Sequence, residues 1–220
     1  MTSLLDFDKQ LLLWFNGSES VFCDNVIYSI TTAYTWIPVY IAILYCIIKG
    51  GSSKRHIIVI LLCYVLCFLL TEGVADVLVK PLVGRLRPTH DPSVRDSIKI
   101  VGDAIGNGDF SFFSAHSANT MGIAVFVSLL MRNRVLTFFM VLWSLLNAYS
   151  RLYLGVHYPG DVICGLIWGC VSALVAYNVY ESRMKHYNIS EGHYPTYTIV
   201  AIFLLTYVYI FVRAGILSWN

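Results

Sequence analysis

The chain has 220 residues, of which 57% are hydrophobic and only 13% are charged, with a mean hydropathy of +0.67. A soluble domain of this length does not need so apolar a composition, so the sequence predicts an integral membrane protein with several spans. The formal net charge is only +2, and Lys and Arg form no basic stripe with interleaved aromatic residues, so no nucleic-acid partner is expected.

The N-terminal segment, residues 1–25, carries apolar residues at roughly helical spacing around Asp8 and Lys9. This pattern favours an amphipathic helix in the membrane interface, and it fits equally well a helix packed at the mouth of a helical bundle. The segment has no basic region followed by an apolar stretch and a small-residue cleavage site, so a removed signal peptide is not expected.

Four apolar stretches are long enough to cross a bilayer, which takes about 20 residues. They are Val26–Ile48, Ile57–Val79, Val162–Tyr180 and Ile199–Leu217. Two further runs, Ser117–Met131 and Val135–Tyr149, are separated by three polar residues and predict a helical hairpin whose two helices are both short. The predicted fold is an all-α polytopic membrane helical bundle of about six transmembrane helices, in a single domain covering residues 1–220.

The distribution of basic residues predicts the orientation of the bundle, because basic residues favour cytoplasmic connections. They occupy alternate short connections between spans: Lys49, Lys54, Arg55, Arg132, Arg134, Arg183 and Lys185. The segments 80–116 and 151–161 then lie on the opposite side. We expect a protein of a bacterial inner membrane, with its polar site facing the periplasm or the exterior.

The first polar cluster follows the second predicted span and runs from Lys80 to Pro88. Lysine provides a mobile positive charge, whereas the planar guanidinium of Arg87 can bind two phosphate oxygens in a fixed geometry. Lys80 and Arg87 are therefore candidate phosphate ligands. The cluster equally fits a basic stretch whose side chains extend toward lipid headgroups, and Arg85 fits that reading better than the other two.

Two acidic residues precede this cluster at four-residue steps. Glu72, Asp76 and Lys80 would therefore lie along one face of the second helix. Asp76 is a candidate for orienting Lys80. A buried polar network that only packs helices together is an equal alternative, since acids within a membrane serve both purposes.

The second cluster is Ser114-Ala115-His116, which directly precedes an apolar run. Backbone amides at a helix start can bind an anion, and the hydroxyl of Ser114 can add a donor. His116 is a candidate general acid, because imidazole exchanges protons near neutral pH. A simple helix cap formed by Ser114 is the alternative interpretation.

The third cluster contains Arg151, His157 and Asp161. Asp161 begins the next predicted helix and lies four residues after His157, so its carboxylate can hold one imidazole nitrogen and leave the other lone pair free to attack. Arg151 adds a second guanidinium for phosphate. The alternative is a helix-capping aspartate beside an interfacial histidine.

Together the clusters read Lys-x6-Arg-Pro, Ser-x-His and Ser-Arg-x5-His-x3-Asp. In this order, and at one edge of the predicted membrane, they resemble the type 2 phosphatidic acid phosphatase (PAP2) superfamily, which also contains vanadium haloperoxidases and glucose-6-phosphatase. The resemblance covers a core of residues 57–180, and the span 199–217 lies beyond it. The usual central motif is Pro-Ser-Gly-His, so Phe113 and Ala115 are departures.

The resemblance implies a catalytic cycle. His157 attacks phosphorus and becomes a phosphohistidine, Asp161 orients His157, and His116 protonates the leaving oxygen before water releases phosphate. The implied phosphate ligands are Lys80, Arg87, Ser114, Arg151 and the backbone amide of Ala115. No metal ion or other cofactor is expected, because carboxylates do not cluster around the proposed phosphate.

The expected substrate is a phosphate or diphosphate carried by a membrane lipid: undecaprenyl diphosphate, lipid A, phosphatidylglycerol phosphate or phosphatidic acid. The bilayer is the other expected partner, and no obligatory protein partner is predicted. A lipid phosphotransferase that passes phosphate to an acceptor hydroxyl is an alternative. A non-enzymatic transporter is a second one, although transporters usually show repeated halves or paired broken helices.

Overall fold

The computed structural model describes residues 4–102, 108–187, 190 and 192–219. Within these ranges the regular structure is helical, apart from one isolated antiparallel bridge between Leu86 and Phe110. The prediction of an all-α fold is confirmed. Five helices of the described ranges are long and apolar enough to cross a membrane, and one more apolar helix is shorter. This set agrees with the predicted number of about six spans.

The N-terminal segment forms two helices, α1 (Leu4–Phe15) and α2 (Val21–Thr31), while residues 1–3 of the predicted segment lie outside the described residues. The side chain of Leu12 in α1 is fully buried in a small apolar cluster at the mouth of the bundle. Leu4 of the same helix is 88% exposed. Helix α1 therefore packs on the bundle with one face and exposes apolar side chains on another. This arrangement has features of both predicted alternatives, the interfacial helix and the helix packed at the mouth of the bundle.

The prediction of Val26–Ile48 as one continuous span is wrong. Helix α2 ends early, and a short 3-10 turn separates it from α3 (Ile37–Gly50). The backbone of Thr32 is extended, with φ of −76° and ψ of 117°. The indole N–H of Trp36 donates a 2.7 Å hydrogen bond to the carbonyl of Ile30, which satisfies an acceptor that the helix end leaves unpaired. Average hydropathy does not reveal such a side-chain bond.

The second predicted span, Ile57–Val79, is confirmed as part of a longer continuous helix. This helix consists of α4 (Lys54–Phe68), a π-helical stretch (Leu69–Val79) and α5 (Lys80–Val83). It ends at Gly84, whose φ of 61° lies in the left-handed region that favours glycine. The π-helical stretch carries the two acidic residues that precede the first polar cluster, and such stretches are frequent at functional sites.

After a short 3-10 helix (Arg95–Ser97), four α-helices follow: α6 (Ala115–Met131), α7 (Arg134–Tyr153), α8 (Pro159–His186) and α9 (Thr196–Trp219). The predicted hairpin is confirmed as α6 and α7, and the last two predicted spans lie within α8 and α9. The prediction that both hairpin helices are short is wrong for α7, which has 20 residues. Its last turn is retained because Ser150 and Arg151 form hydrogen bonds inside the protein.

Helices α6 and α8 pack so closely that glycines of α8 contact the backbone at the start of α6. A Cβ atom on Gly165 would lie 2.5 Å from the carbonyl oxygen of Ser114, and one on Gly169 would lie 2.4 Å from that of Ala118. These distances are too short for any real Cβ contact, so both positions require glycine. The contact holds the second polar cluster, at the start of α6, against the helix that follows the third cluster.

Substituting Gly169 tests this close approach. Gly169→Ala is expected to destabilise the protein by about 1–3 kcal/mol, because the new methyl group must push two helix backbones apart. Gly215→Ala in α9 is the matched control, since a Cβ there meets no heavy atom within 4 Å. Thermal unfolding in detergent measures both effects. An unchanged melting temperature for Gly169→Ala would contradict the packing described.

Basic connections between helices meet at one end of the bundle. The hydroxyl of Ser52, before α4, donates a 2.9 Å hydrogen bond to the carbonyl of Ser190, before α9. Arg132, between α6 and α7, lies 3.7 Å from the carboxylate of Glu181 near the end of α8. The helix order then places the three polar clusters at the opposite end, in agreement with the alternation that the charges predict.

Candidate active site

Arg87 of the first cluster reaches the site from the loop after α5 and is 4% exposed. Its Nε donates to the carbonyl of Gly108 at 2.8 Å, and its Nη1 donates to the carbonyl of Val156 at 3.1 Å. Burial lowers the pKa of Arg87, and the nearby carboxylate of Asp161 opposes that effect. A guanidinium starts from so high a pKa that it keeps its charge. A fixed cation therefore lies beside the third cluster.

Ser114 of the second cluster is the N-cap of α6 and is fully buried. Its Oγ accepts hydrogen bonds from the backbone N–H of Ser117 at 3.3 Å and from the hydroxyl of Ser117 at 3.0 Å. Its own backbone N–H donates to the carbonyl of Asp161 at 3.0 Å, which joins the second cluster to the third. The helix-cap interpretation is confirmed. A contact between this hydroxyl and phosphate stays a prediction.

The two departures from the usual central motif are both buried. The ring of Phe113 packs against Trp168 of α8, with 6.1 Å between ring centroids, in an apolar cluster that includes Ala75. Ala115 is the first residue of α6. The larger side chain in place of proline thus strengthens the contact of this loop with α8.

Arg151 of the third cluster lies in the last turn of α7, and its Nη1 donates a 2.6 Å hydrogen bond to the hydroxyl of Thr31. Thr31 is the last residue of α2. The break that interrupts the first predicted span therefore also provides the partner that holds this arginine in place.

His157 and Asp161 are almost inaccessible, with 2% and 0% exposure. Oδ2 of Asp161 accepts from the backbone N–H of Tyr158 at 3.0 Å and lies 3.7 Å from Nδ1 of His157. The latter distance exceeds that of a hydrogen bond, although catalytic contacts often shorten when substrate binds. Nε2 of His157 lies 3.0 Å from Nη1 of Arg87, which can only donate. The ring hydrogen is therefore assigned to Nδ1, toward Asp161.

The surroundings of His157 keep its imidazole neutral. Burial lowers the pKa of His157 to about 4. The carboxylate of Asp161 opposes this shift, and the positive charges of Arg87 and Arg151 add to it. At neutral pH the ring is therefore neutral, and its Nε2 is unprotonated and accepts the hydrogen bond from Arg87. A neutral imidazole beside cations fits a nucleophile for phosphate, and this role of His157 stays a prediction.

One cavity of about 190 Å³ brings the three clusters together. The predicted residues that line it are Lys80, Arg87, Ala115, His116, Arg151 and His157. Ser114 and Asp161 lie behind this wall, where the first caps α6 and the second faces His157. Three cations and two imidazoles around so small a volume are suited to a phosphate group, whose transfer depends on positioning and neutralisation of negative charge.

The remaining wall of the cavity is formed by Glu72, Asp76 and Asn119. The ammonium group of Lys80 is hydrogen-bonded to the carboxylate of Asp76, and the amide of Asn119 donates to Glu72. The predicted proximity of Asp76 and Lys80 is confirmed, while an orienting role for Asp76 stays a prediction. Asn119 was not predicted as a site residue, and its only signal in the sequence is its place three residues after His116 on one face of α6.

The interpretation of Arg85 as a lipid-facing residue is wrong. Its Nη1 donates to Oδ1 of Asp161 at 2.8 Å, and its Nη2 donates to Oδ2 of Asp8 at 2.6 Å. The guanidinium carbon also lies 3.9 Å from the centre of the Tyr158 ring. Neither this role of Arg85 nor a place for Asp8 near the site was predicted from the sequence. The two residues are 77 positions apart and share no motif, so no spacing connects them.

In the part of the chain that the structure describes, cysteine and other metal-ligating side chains form no second site. The six cysteines are free thiols, of which Cys46, Cys63 and Cys67 are buried and Cys23 is exposed. Among the described residues, no group of three or more His, Cys, Asp or Glu side chains is arranged to hold a metal ion. That catalysis needs no metal or cofactor stays a prediction.

The family described as the PAP2 superfamily matches residues 60–185, which is more than half of the chain. The chain belongs to the PAP2 superfamily. The matched residues contain all three clusters, so the resemblance inferred from the motifs is confirmed.

Two relatives of this PAP2 protein are both named lipid A 4'-phosphatase. The one from Bacteroides thetaiotaomicron is 44% identical over 171 residues, which cover 76% of this chain and 73% of the relative. The one from Porphyromonas gingivalis is 31% identical over 182 residues, which cover 82% of this chain and 75% of the relative. Family and relatives together make this chain a lipid phosphatase, and therefore a phosphoric ester hydrolase.

A solved structure shares the fold of this PAP2 protein. It is the first transmembrane PAP2-type phosphatidylglycerolphosphate phosphatase from Bacillus subtilis, with a TM-score of 0.61 and 19% identity. The match covers 83% of this chain and 88% of that chain. At this identity the likeness concerns the fold alone. With the apolar helices, it establishes an integral membrane helical bundle.

Proposed function

We propose that this PAP2 enzyme hydrolyses a phosphate monoester on the saccharide headgroup of lipid A or a similar glycolipid, through a phosphohistidine intermediate. The observation that carries the proposal is the cavity, whose lining includes three cations and two imidazoles, one of which lies beside the buried carboxylate of Asp161. The substrate class is supported by the names of the two relatives, both lipid A 4'-phosphatases. Undecaprenyl diphosphate, phosphatidylglycerol phosphate and phosphatidic acid are the competing substrates.

Phosphate binding prepares the nucleophile in this mechanism. Lys80, Arg87 and Arg151 bind the non-bridging oxygens of the phosphate, together with the backbone amide at the start of α6. A phosphate oxygen is a stronger acceptor for a guanidinium than a neutral imidazole is. Nη1 of Arg87 therefore moves its hydrogen bond from Nε2 of His157 to the phosphate. The lone pair of Nε2 then faces phosphorus.

The chemistry proceeds in two displacements. Nε2 of His157 forms a bond to phosphorus as the bond between phosphorus and the ester oxygen breaks. His116, protonated beside the dianionic phosphate, gives its proton to that oxygen, so the lipid leaves as an alcohol. Asp161 stabilises the positive charge that develops on the ring of His157. Water then attacks the phosphohistidine, the now neutral His116 accepts its proton, and orthophosphate leaves.

The proposed activity is tested with purified protein in detergent and a metal chelator. Lipid A carrying both of its phosphates is the substrate, the position of loss is read by mass spectrometry, and orthophosphate is measured in parallel. We expect loss of the 4'-phosphate with a kcat/KM at least about 10-fold above that for the competing lipids. Phosphate appearing on an added alcohol instead of in solution would indicate a phosphotransferase. No release from any lipid would contradict the proposed function.

The cavity is proposed to face the periplasm of a bacterial inner membrane, and cysteine labelling tests this orientation. Ser97 and Ser190 are exposed at opposite ends of the bundle and are replaced singly by cysteine, in a protein whose exposed native Cys23 is changed to serine. In intact spheroplasts, a membrane-impermeant thiol reagent is expected to label Ser97→Cys and not Ser190→Cys, because basic connections remain cytoplasmic. Permeabilised cells should label both. The reverse pattern would invert the protein and place the cavity in the cytoplasm.

A further inference from the structure

Helix α1 contributes one charged side chain to the surroundings of the site. The carboxylate of Asp8 is 14% exposed and accepts hydrogen bonds from Nη2 of Arg85 at 2.6 Å and from the backbone N–H of Gly160 at 2.8 Å. Gly160 is the second residue of α8, so this bond satisfies one of the N–H groups that a helix start leaves unpaired. Asp8 therefore holds both Arg85 and the start of the helix that carries Asp161.

Arg85 connects Asp8 to the carboxylate of Asp161. Its Nη1 binds Oδ1 of Asp161, while the other oxygen of Asp161 is the one that faces Nδ1 of His157. The guanidinium is also held against the ring of Tyr158. Together with the hydrogen bond from the backbone N–H of Tyr158 to Oδ2, these contacts determine how the carboxylate is rotated and which oxygen the imidazole meets.

The charges explain why Arg85 needs a second carboxylate. The guanidinium of Arg85 and the carboxylate of Asp161 have a total charge of zero. With the carboxylate of Asp8, the three groups together carry one net negative charge. The ring of His157 becomes positive as Nε2 bonds to phosphorus. In a buried site, a net negative charge beside that ring stabilises the transition state more than a neutral group does. Asp8 thus restores the charge that Arg85 removes from the catalytic aspartate.

We infer that Asp8 is a positioning residue for phosphoryl transfer, which acts through Arg85 on Asp161 and touches neither the substrate nor the reacting atoms. This inference rests on the proposed function. Asp8 lies outside the three motifs, on a helix beyond the matched residues 60–185. The N-terminal helix is therefore part of the catalytic apparatus as well as part of the membrane-facing surface.

Substitution of Asp8 in the full chain tests the inference, with a soluble aryl phosphate and the lipid as substrates. Asp8→Asn is expected to lower kcat by about 10-fold and to change KM by less than about twofold, because the phosphate ligands remain in place. Asp8→Glu keeps the charge and should retain most of the activity. Glu19→Gln is the control, since Glu19 is an exposed acid on the same N-terminal segment. It should leave kcat unchanged.

A double-mutant cycle separates compensation of Arg85 from a structural role of Asp8. Each kcat is divided by the folded fraction, measured from thermal unfolding in detergent. If Asp8 acts through Arg85, then the double variant Asp8→Asn/Arg85→Gln should be no slower than Arg85→Gln alone. The double variant leaves no unpaired arginine, so it provides the comparison even where Asp8→Asn alone does not fold.

Two results would overturn the inference. The first is a kcat for Asp8→Asn within about twofold of the wild-type value. The second is that Asp8→Asn lowers kcat by the same factor in the wild-type protein and in Arg85→Gln. A wild-type protein inactive on both substrates would instead contradict the proposed function, and this inference with it.

Discussion

Replacing His157 with glutamine is expected to lower phosphate release to less than about one hundredth of the wild-type rate, with the protein still folded in detergent. The glutamine amide oxygen can still accept the hydrogen bond of Arg87, so the substitution preserves a buried polar contact. It cannot form the phosphorus–nitrogen bond of the intermediate. His157→Ala should show the same loss of activity. Orthophosphate release measures the effect, and thermal unfolding measures the folded fraction.

His90→Gln is the matched control for this experiment. His90 lies on the same side of the bundle as the cavity but does not line it, and its ring contacts the hydroxyl of Thr89. We expect nearly wild-type activity from this variant. Rapid quenching with a radiolabelled phosphate ester should trap a phosphoenzyme in the wild type and none in His157→Gln. Residual turnover above about one hundredth in His157→Gln would contradict covalent catalysis by this residue.

Replacing His116 with alanine is expected to have an effect that depends on the leaving group. A lipid or sugar alkoxide is a poor leaving group and needs a proton as its bond to phosphorus breaks, so kcat should fall by about 100-fold or more. An activated aryl phosphate leaves as a stable anion and needs no such proton. Its hydrolysis should therefore fall by less than about 10-fold.

The comparison of the two substrates within one preparation serves as an internal control, because a loss of folded protein would lower both rates equally. Equal losses on both substrates would remove His116 from the role of general acid. Inhibition by orthophosphate measures phosphate binding separately. Its inhibition constant should change little in His116→Ala, because Lys80, Arg87 and Arg151 are unaltered.

The candidate site was largely predictable because polar residues are costly inside a membrane. In a chain with 13% charged residues, the cations, imidazoles and carboxylates at the ends of apolar runs were conspicuous. The spacing of these residues then predicted which side chains contact each other. The four-residue step from His157 to Asp161 places a carboxylate near the imidazole, and the structure has these two groups 3.7 Å apart.

Several features could not be predicted because they depend on side-chain contacts between distant segments. At the break after α2, a hydrogen bond from Trp36 satisfies a backbone carbonyl that the helix end leaves unpaired, and average hydropathy does not reveal it. The partners of Arg85 come from α1 and α8, and its position among other basic residues favoured a lipid-facing interpretation. Asn119 has no motif, and only the packing of α6 beside the π-helical stretch brings it to Glu72.

The amino-acid sequence by itself determined the membrane class and the all-helical bundle, because both follow from hydrophobicity and its extent along the chain. Its motifs also carried the resemblance to the family and named the candidate site residues. Only the tertiary structure decided that Lys80, Arg87, His116, Arg151 and His157 line one cavity and that Asp8 and Arg85 stand behind it. The physical reason is that hydrogen bonds and ion pairs depend on distances of a few ångströms between atoms. Such distances between segments tens of residues apart are set by helix packing, here by the close contact of α6 with Gly165 and Gly169.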